Sequence, residues 1–285
     1  MSDTRRHGTT FFIHIPKTAG MTMNDVLSRQ YEPGRSFIIS PHEIHVRRSL
    51  DAFRVLDPEA QNAFDLIRGH CALVVEGLVA PPKKFIAFLR DPFQQFKSSY
   101  YYIRRADWNL QHERVKRMGS LREFLDFQEE VGQDNLQTRH LAGVLEAMAV
   151  DQLNDPVRID DPLFNKAVAW LGRLDHVGLT ERFDASLLML KEGLGWKHHC
   201  YYQALNHTER RPDPLLDPDL HERFKEVYKW DLALYALARE RFEKDMLAQG
   251  EAFQRRVSHF QQRNGIAQYA FRVKNRIKAI APWLP

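Results

Sequence analysis

A short apolar run that passes into a helix through a loop containing lysine and glycine constrains this chain most. Residues 11–15 are typical of a buried strand and residues 21–31 of a helix, and Lys17 and Gly20 lie between them. Such a turn directs backbone N–H groups and the positive end of a helix dipole at one point, where a lysine adds a full charge. The sequence therefore predicts a site for a phosphate or sulfate group.

This loop differs from the common nucleotide-triphosphate loop. That loop has the pattern G-x-x-x-x-G-K-[ST], in which the lysine follows the second glycine. Here Lys17 precedes Gly20, and no glycine stands at the required spacing before it. Taken alone, the motif is equally typical of an ordinary strand-to-helix turn with an exposed lysine.

A second strand-to-helix junction favours the interpretation of the first loop as an anion-binding site over that of an ordinary turn. Residues 84–89 read as another buried strand, followed by Arg90, by Asp91 as a helix cap and by Pro92 in the first turn. Arg90 is then at the carboxyl end of a strand, where open α/β sheets bind ligands. Ser98 is expected to face the same crevice, and an arginine with a hydroxyl suits a second phosphate. The alternative is a capped helix start with an exposed arginine.

Histidines supply the candidates for proton transfer. His70 ends a short apolar strand that is expected beside the Lys17 loop, and histidine is the usual general base near neutral pH. A strand-end histidine bonded to backbone is the alternative. His14 lies between two isoleucines and is expected to have a structural part. We expect His42 and His45 to border the acceptor cleft, and Arg139 to touch either the cofactor or the acceptor.

The two loops together resemble the sulfotransferases that use PAPS (3′-phosphoadenosine 5′-phosphosulfate). They are most similar to the carbohydrate branch that includes heparan sulfate 2-O-sulfotransferase, which has loops much like HIPKTAG at residues 14–20 and LRDP at residues 89–92. Weaker similarity extends the resemblance to roughly residues 10–243 and includes residues 134–143. The branch often has a basic residue where Gln95 stands.

The resemblance implies a P-loop-like α/β three-layer sandwich around a central parallel sheet. It implies transfer of the sulfuryl group from PAPS to a hydroxyl of a carbohydrate or glycoconjugate, with PAP (adenosine 3′,5′-bisphosphate) as product and no metal. Lys17 would stabilise the leaving oxygen, His70 would be the general base, and Arg90 and Ser98 would hold the 3′-phosphate. The other donor contacts would come from Pro16, Lys17, Thr18, Ala19, Gly20, Met21 and Thr22.

The chain is predicted to form one domain, residues 1–252, followed by a basic tail, residues 253–285. Both phosphate sites fall within residues 10–105, and the mostly helical residues 106–175 are expected to wall the acceptor cleft. A long helix is predicted from residue 219 to about 249.

Charge is concentrated in the tail. It has 7 Arg or Lys and no acidic residue, whereas the rest of the chain has 34 basic and 37 acidic residues, which gives the net charge of +4. Apolar residues interleaved with this charge predict an amphipathic helix on an anionic membrane surface, and packing on the core or on a second subunit is the alternative. No nucleic-acid partner is predicted, because no recognisable nucleic-acid-binding motif accompanies the positive charge.

Composition is ordinary for a globular enzyme, with 44% hydrophobic and 27% charged residues. Two cysteines predict no disulfide framework, and neither a leader nor a membrane span is recognisable. We therefore expect a cytoplasmic enzyme that is membrane-peripheral if the tail binds lipid. Two other functions stay open: a nucleotide-dependent small-molecule kinase, which would need a triphosphate loop and magnesium ligands, and a non-catalytic PAP-binding protein.

Overall fold

A single parallel sheet forms the centre of the molecule. The computed structural model describes residues 8–39, 43–144, 157–203 and 218–280, and five strands lie in the order β2-β3-β1-β4-β5. Their bounds are β1 Thr9–Ile13, β2 Ser36–Ile39, β3 Leu66–Gly69, β4 Lys83–Leu89 and β5 His176–Leu179. All neighbouring pairs are parallel, which confirms the predicted α/β fold with a central parallel sheet.

Helices connect and cover the strands. Four of them begin at side chains that accept a hydrogen bond from the first turn: Asp57, Asp91, Ser120 and Asp160. The helices of the described ranges are α1 Gly20–Gln30, α2 Glu43–Arg54, α3 Pro58–Gln61, α4 Pro92–Ile103, α5 His112–Lys116, α6 Leu121–Glu130, α7 Leu136–Ala142, α8 Asp161–Arg173, α9 Phe183–Gly193, α10 Pro218–Val227 and α11 Lys229–Ile280.

Alternation along the strands produces two apolar layers. Phe11 and Ile13 of β1 belong to a cluster on one face of the sheet, and Phe12 belongs to a cluster on the other face. The first cluster includes residues of α2, α8 and α11, and the second includes residues of α1 and α9. The sheet is thus covered on both faces, as parallel sheets require.

A third cluster is largely aromatic and joins helices rather than strands. Phe96 of α4 packs against Phe124 of α6 and Phe224 of α10, with ring centroids 5.2 and 5.4 Å away. These contacts fix α4, which starts at the carboxyl end of β4. The cluster therefore supports the helix that follows Arg90.

Two elements differ from the prediction. Strand β2 was not expected, since its four residues at the sheet edge give almost no alternation signal. The long C-terminal helix is interrupted at Tyr228 and again at Gly250, where φ is 73°, and it continues to Ile280. Beyond Gly250, Phe253 is fully buried and Phe260 is 8% exposed, so the start of the tail packs on the core of this chain.

Candidate active site

Three strand ends meet at the carboxyl edge of the sheet. Strand β1 lies between β3 and β4, and Ile13 pairs with Gly69 on one side and Ala87 on the other. The residues that follow these strands, in the Lys17 loop, at His70 and at Arg90, are therefore neighbours. This is the edge at which open parallel sheets bind ligands.

The Lys17 loop has a constrained backbone. Lys17 and Ala19 both have a φ of 65°, in the left-handed region that non-glycine residues rarely adopt. A β-carbon on Gly20 would come within 1.7 Å of Nε2 of His14, so only glycine fits there. The Thr18 hydroxyl donates to the Ile15 carbonyl at 2.8 Å, so this side chain closes the turn and only its backbone N–H can serve an anion.

The ammonium of Lys17 is shielded from solvent by an aromatic ring. Its Nζ lies 3.8 Å from the ring centroid of Tyr102. Burial, followed by the positive charges of Arg90 and Arg105, lowers the pKa of Lys17 to about 8. The positive charges that act on Lys17 at this point favour the binding of an anion.

Arg90 connects the second loop to the first. Its Nη1 donates to the Lys17 carbonyl at 3.0 Å, while its Nε is buried with no hydrogen-bond partner among the described atoms. Gln137 fixes the main chain of Arg90, accepting from its N–H at 2.9 Å and donating to its carbonyl at 2.8 Å. Burial lowers the pKa of Arg90, which Glu181 and Asp91 partly counteract.

Helix α4 also contacts the first loop. Gln95, which stands where the similar branch often has a basic residue, donates from Nε2 to the Pro16 carbonyl at 2.8 Å. Ser98 is half-buried one turn further along α4. In α1, Thr22 is buried and Met21 is 55% exposed at the mouth of the loop.

The hydrogen bond of His70 sets the tautomer of its neutral ring. Nδ1 of His70 is paired with the main-chain carbonyl of His14, and a carbonyl only accepts, so Nδ1 carries the hydrogen. The lone pair is then on Nε2, which is the form that a general base requires. The His14 ring stacks on the His70 ring with centroids 4.4 Å apart, which gives His14 the structural part expected for it.

Two further histidines stay uncharged beside His70. Burial, followed by the neighbouring His70, lowers the pKa of His14 well below its usual value. Burial also lowers the pKa of His140 to about 3, and its ring lies 5.8 Å from that of His70. Nδ1 of His140 donates to the Leu136 carbonyl at 2.7 Å, and its buried Nε2 has no partner among the described atoms.

A buried carboxylate positions α7, the helix that carries Gln137. Asp231 accepts from the N–H and the hydroxyl of Thr138, both at 2.7 Å, and from the N–H of Gln137 at 3.1 Å. Burial raises the pKa of Asp231 to about 6 despite these bonds. A chain of contacts thus runs from α11 through α7 to the main chain of Arg90.

The structure corrects the expectation for Arg139. This side chain is 1% exposed, and its guanidinium donates to the carboxylate and the carbonyl of Asp134 and to the carbonyl of Val157. Because its donors bind the protein, it stabilises α7 rather than contacting an acceptor. His42 lies outside the described residues, as does the side chain of His45.

Sequence reasoning did not single out Tyr102, Gln137 and His140. The i, i+4 spacing of Ser98 and Tyr102 on one helix is a signal for Tyr102. Gln137 and His140 fall in residues 134–143, where the similarity was weak. Within the described ranges, no group of three or more potential metal ligands lies together, and none of the helices there is long and apolar enough to span a bilayer.

The parallel sheet and the paired lysine and arginine loops define the sulfotransferase class. The sequence model of the galactose-3-O-sulfotransferase family matches residues 2–272, and the chain belongs to that family. The predicted membership of a carbohydrate sulfotransferase family is therefore confirmed, whereas the closer likeness to heparan sulfate 2-O-sulfotransferase stays a prediction.

Three curated relatives are galactosylceramide sulfotransferases. That of Mus musculus is 28% identical over 267 residues, which cover 89% of this chain and 61% of the relative. Those of Bos taurus and Homo sapiens are each 28% identical over 277 and 273 residues, covering 86% of this chain and 62% of the relative. The chain thus spans less than two thirds of the length of these relatives.

Proposed function

We propose that this chain transfers a sulfuryl group from PAPS to a hydroxyl of a galactose-containing glycoconjugate or glycolipid. The observation that carries the proposal is the hydrogen bond from Arg90 to the Lys17 carbonyl, at 3.0 Å. It joins the two cationic loops into one site at the carboxyl edge of the sheet. The family match and the similarity to galactosylceramide sulfotransferases support the acceptor class.

The residues present fit an anionic donor. The N-terminus of α1 and the depressed pKa of Lys17 suit the 5′-phosphosulfate, and the unpartnered Nε of Arg90 suits a further phosphate oxygen. Arg90 and Ser98 would hold the 3′-phosphate, which distinguishes PAPS from ATP. Bound PAPS supplies an electrophilic sulfuryl group and a phosphate leaving group.

The chain's own residues supply positioning and proton transfer. Nε2 of His70 accepts the proton of the acceptor hydroxyl, and the hydrogen bond from Nδ1 to His14 keeps the ring in the required tautomer. Lys17 places its ammonium where negative charge develops on the leaving oxygen. The neutral rings of His14 and His140 add no positive charge that would oppose protonation of His70.

Titration calorimetry with PAP, using ADP as the comparison ligand, tests the donor site. We expect selective PAP binding that Lys17→Ala and Arg90→Ala each weaken at least tenfold, from the loss of one charge-assisted contact. Arg255→Ala, at an exposed arginine of α11, is the matched control. Equal or tighter ADP binding would favour the kinase alternative.

Transfer from labelled PAPS to galactosylceramide or lactose tests the reaction. His70→Asn should retain PAP affinity and lose most of the turnover, because the asparagine amide nitrogen can replace Nδ1 as donor to the His14 carbonyl and is not basic. Normal PAP binding with no turnover on any galactoside would favour the non-catalytic PAP-binding alternative.

We also propose that the tail contacts an anionic membrane surface on the cytoplasmic side. Ile266 and Tyr269 lie one helical turn apart, are both 71% exposed, and are followed by basic residues at 272–278. Ile266→Ser with Tyr269→Ser should reduce co-sedimentation with phosphatidylserine vesicles. Leu247→Ser, which changes a leucine that is 74% exposed, is the control, and equal sedimentation of the two variants would contradict the proposal.

A further inference from the structure

An aromatic path leads from Lys17 to the protein surface. The Lys17 ammonium lies 3.8 Å from the centre of the Tyr102 ring, and this ring meets Trp108 edge-on at 5.8 Å and 74°. Added together, these two separations give the longest possible distance from the Lys17 ammonium to the centre of the Trp108 ring. That distance is about the span of a disaccharide. Trp108 is 59% exposed, so more than half of this large aromatic side chain is accessible to solvent near the candidate catalytic centre.

The turn that carries Trp108 is fixed by hydrogen bonds. The N–H of Ala106 donates to the Tyr102 carbonyl at 3.0 Å, and the N–H of Asn109 donates to the Ala106 carbonyl at 2.9 Å. Below the turn, Nη1 of Arg104 donates to the Met118 carbonyl at 2.7 Å. Trp108 is therefore presented by an ordered backbone, which lowers the entropy that a ligand would have to overcome.

Polar and apolar features meet beside this indole. The exposed Arg105 precedes Trp108 by three residues, and its positive charge contributes to lowering the pKa of Lys17. A pyranose has hydroxyls around its rim and C–H groups on its faces. In galactose the axial 4-hydroxyl leaves one face as a continuous C–H surface, which suits stacking on an indole with hydroxyls directed at charged groups.

We propose that Trp108 is the platform on which the acceptor galactose stacks, and that it determines specificity for galactosides. The inference rests on the proposed function and deepens it, because Trp108 would orient the sugar so that a hydroxyl faces His70. Tyr102 positions both partners, since the Lys17 ammonium lies over its ring and the Trp108 ring packs against it at 74°.

The test compares Trp108→Ala, Trp108→Phe and the unchanged protein, each saturated with PAP. Titration with methyl β-galactoside and with methyl β-glucoside, which differs only at C4, should show a galactoside preference in the unchanged protein. We expect Trp108→Ala to bind the galactoside about tenfold more weakly and to lose the preference, with Trp108→Phe intermediate. Leu110→Ala, at a leucine that is 81% exposed two residues further on, is the matched control.

PAP affinity, measured on the same samples, separates the two proposals. If the unchanged protein does not bind PAP, the proposed function itself is wrong. If PAP binds normally while Trp108→Ala keeps full galactoside affinity, or while the unchanged protein does not distinguish the two sugars, the platform is wrong. Normal PAP binding with a selective loss of galactoside affinity supports it.

Discussion

Replacing Gln137 by leucine removes the hydrogen bonds that support the main chain of Arg90 and leaves the charge of Arg90 in place. Gln137 is fully buried, and its amide makes two hydrogen bonds to the main chain of Arg90, at 2.9 and 2.8 Å. Leucine has a similar volume but leaves the N–H and carbonyl of Arg90 without these partners. At about 1.5 kcal/mol for each of the two unsatisfied groups, the loss is about 3 kcal/mol, and the melting temperature should fall by roughly 6–12 °C.

The same variant should weaken PAP binding, although it removes no charge. Arg90 then loses the contacts that fix its backbone, so its guanidinium must be ordered when the ligand binds. We expect a loss of affinity of about tenfold by calorimetry, smaller than the loss from Arg90→Ala and accompanied by the fall in melting temperature.

Gln128→Leu is the matched control for this experiment. Gln128 is 1% exposed, and its Nε2 is buried with no partner among the described atoms, so its replacement should be neutral or stabilising and should not affect PAP. If Gln137→Leu has the same melting temperature and PAP affinity as Gln128→Leu, the support that we assign to Gln137 is refuted.

Three other changes test different contacts. Gly20→Ala places a β-carbon 1.7 Å from Nε2 of His14 and should abolish PAP binding measured by calorimetry. The control is Gly34→Ala, whose β-carbon would meet nothing within 4 Å and should leave PAP binding unchanged. Equal PAP affinities of the two variants would refute the close approach at Gly20. Because the pKa of Lys17 is lowered to about 8, PAP affinity should fall as pH rises through that value and the ammonium loses its proton, and Lys17→Arg should flatten this profile. Asp231→Ala removes the acceptor of three buried donors and should lower stability by about 3 kcal/mol in urea unfolding, and a change below about 1 kcal/mol would contradict that role.

The strands around the site were predictable because each is a short apolar run followed by a polar loop. The carboxyl ends of parallel strands lie at the same edge of a sheet. Lys17, His70 and Arg90 can therefore be placed at one edge without knowing the pairing register of the strands. Strand β2 escaped prediction because the apolar residues Phe37, Ile38 and Ile39 are consecutive at a sheet edge and show no alternation, with Ile38 54% exposed. No proline or glycine stands at Tyr228, so the sequence contains no signal for the break between α10 and α11.

The contacts within the site were less predictable than its location. Lys17 and Tyr102 meet only because the aromatic cluster sets the direction of α4, and no spacing in the sequence encodes that direction. Arg139 shows the converse. A basic residue in a stretch that resembled the family suggested ligand contact, yet the sequence could not reveal that Asp134 and buried carbonyls bind its guanidinium.

Burial of Phe253 and Phe260 has a consequence for how this chain can be cut and assembled. These two residues of α11 belong to different layers, one on each face of the sheet. The last helix therefore packs against both layers. Fusions are therefore best placed after residue 280, whereas a cut at Gly250 would expose apolar surface on both faces at once.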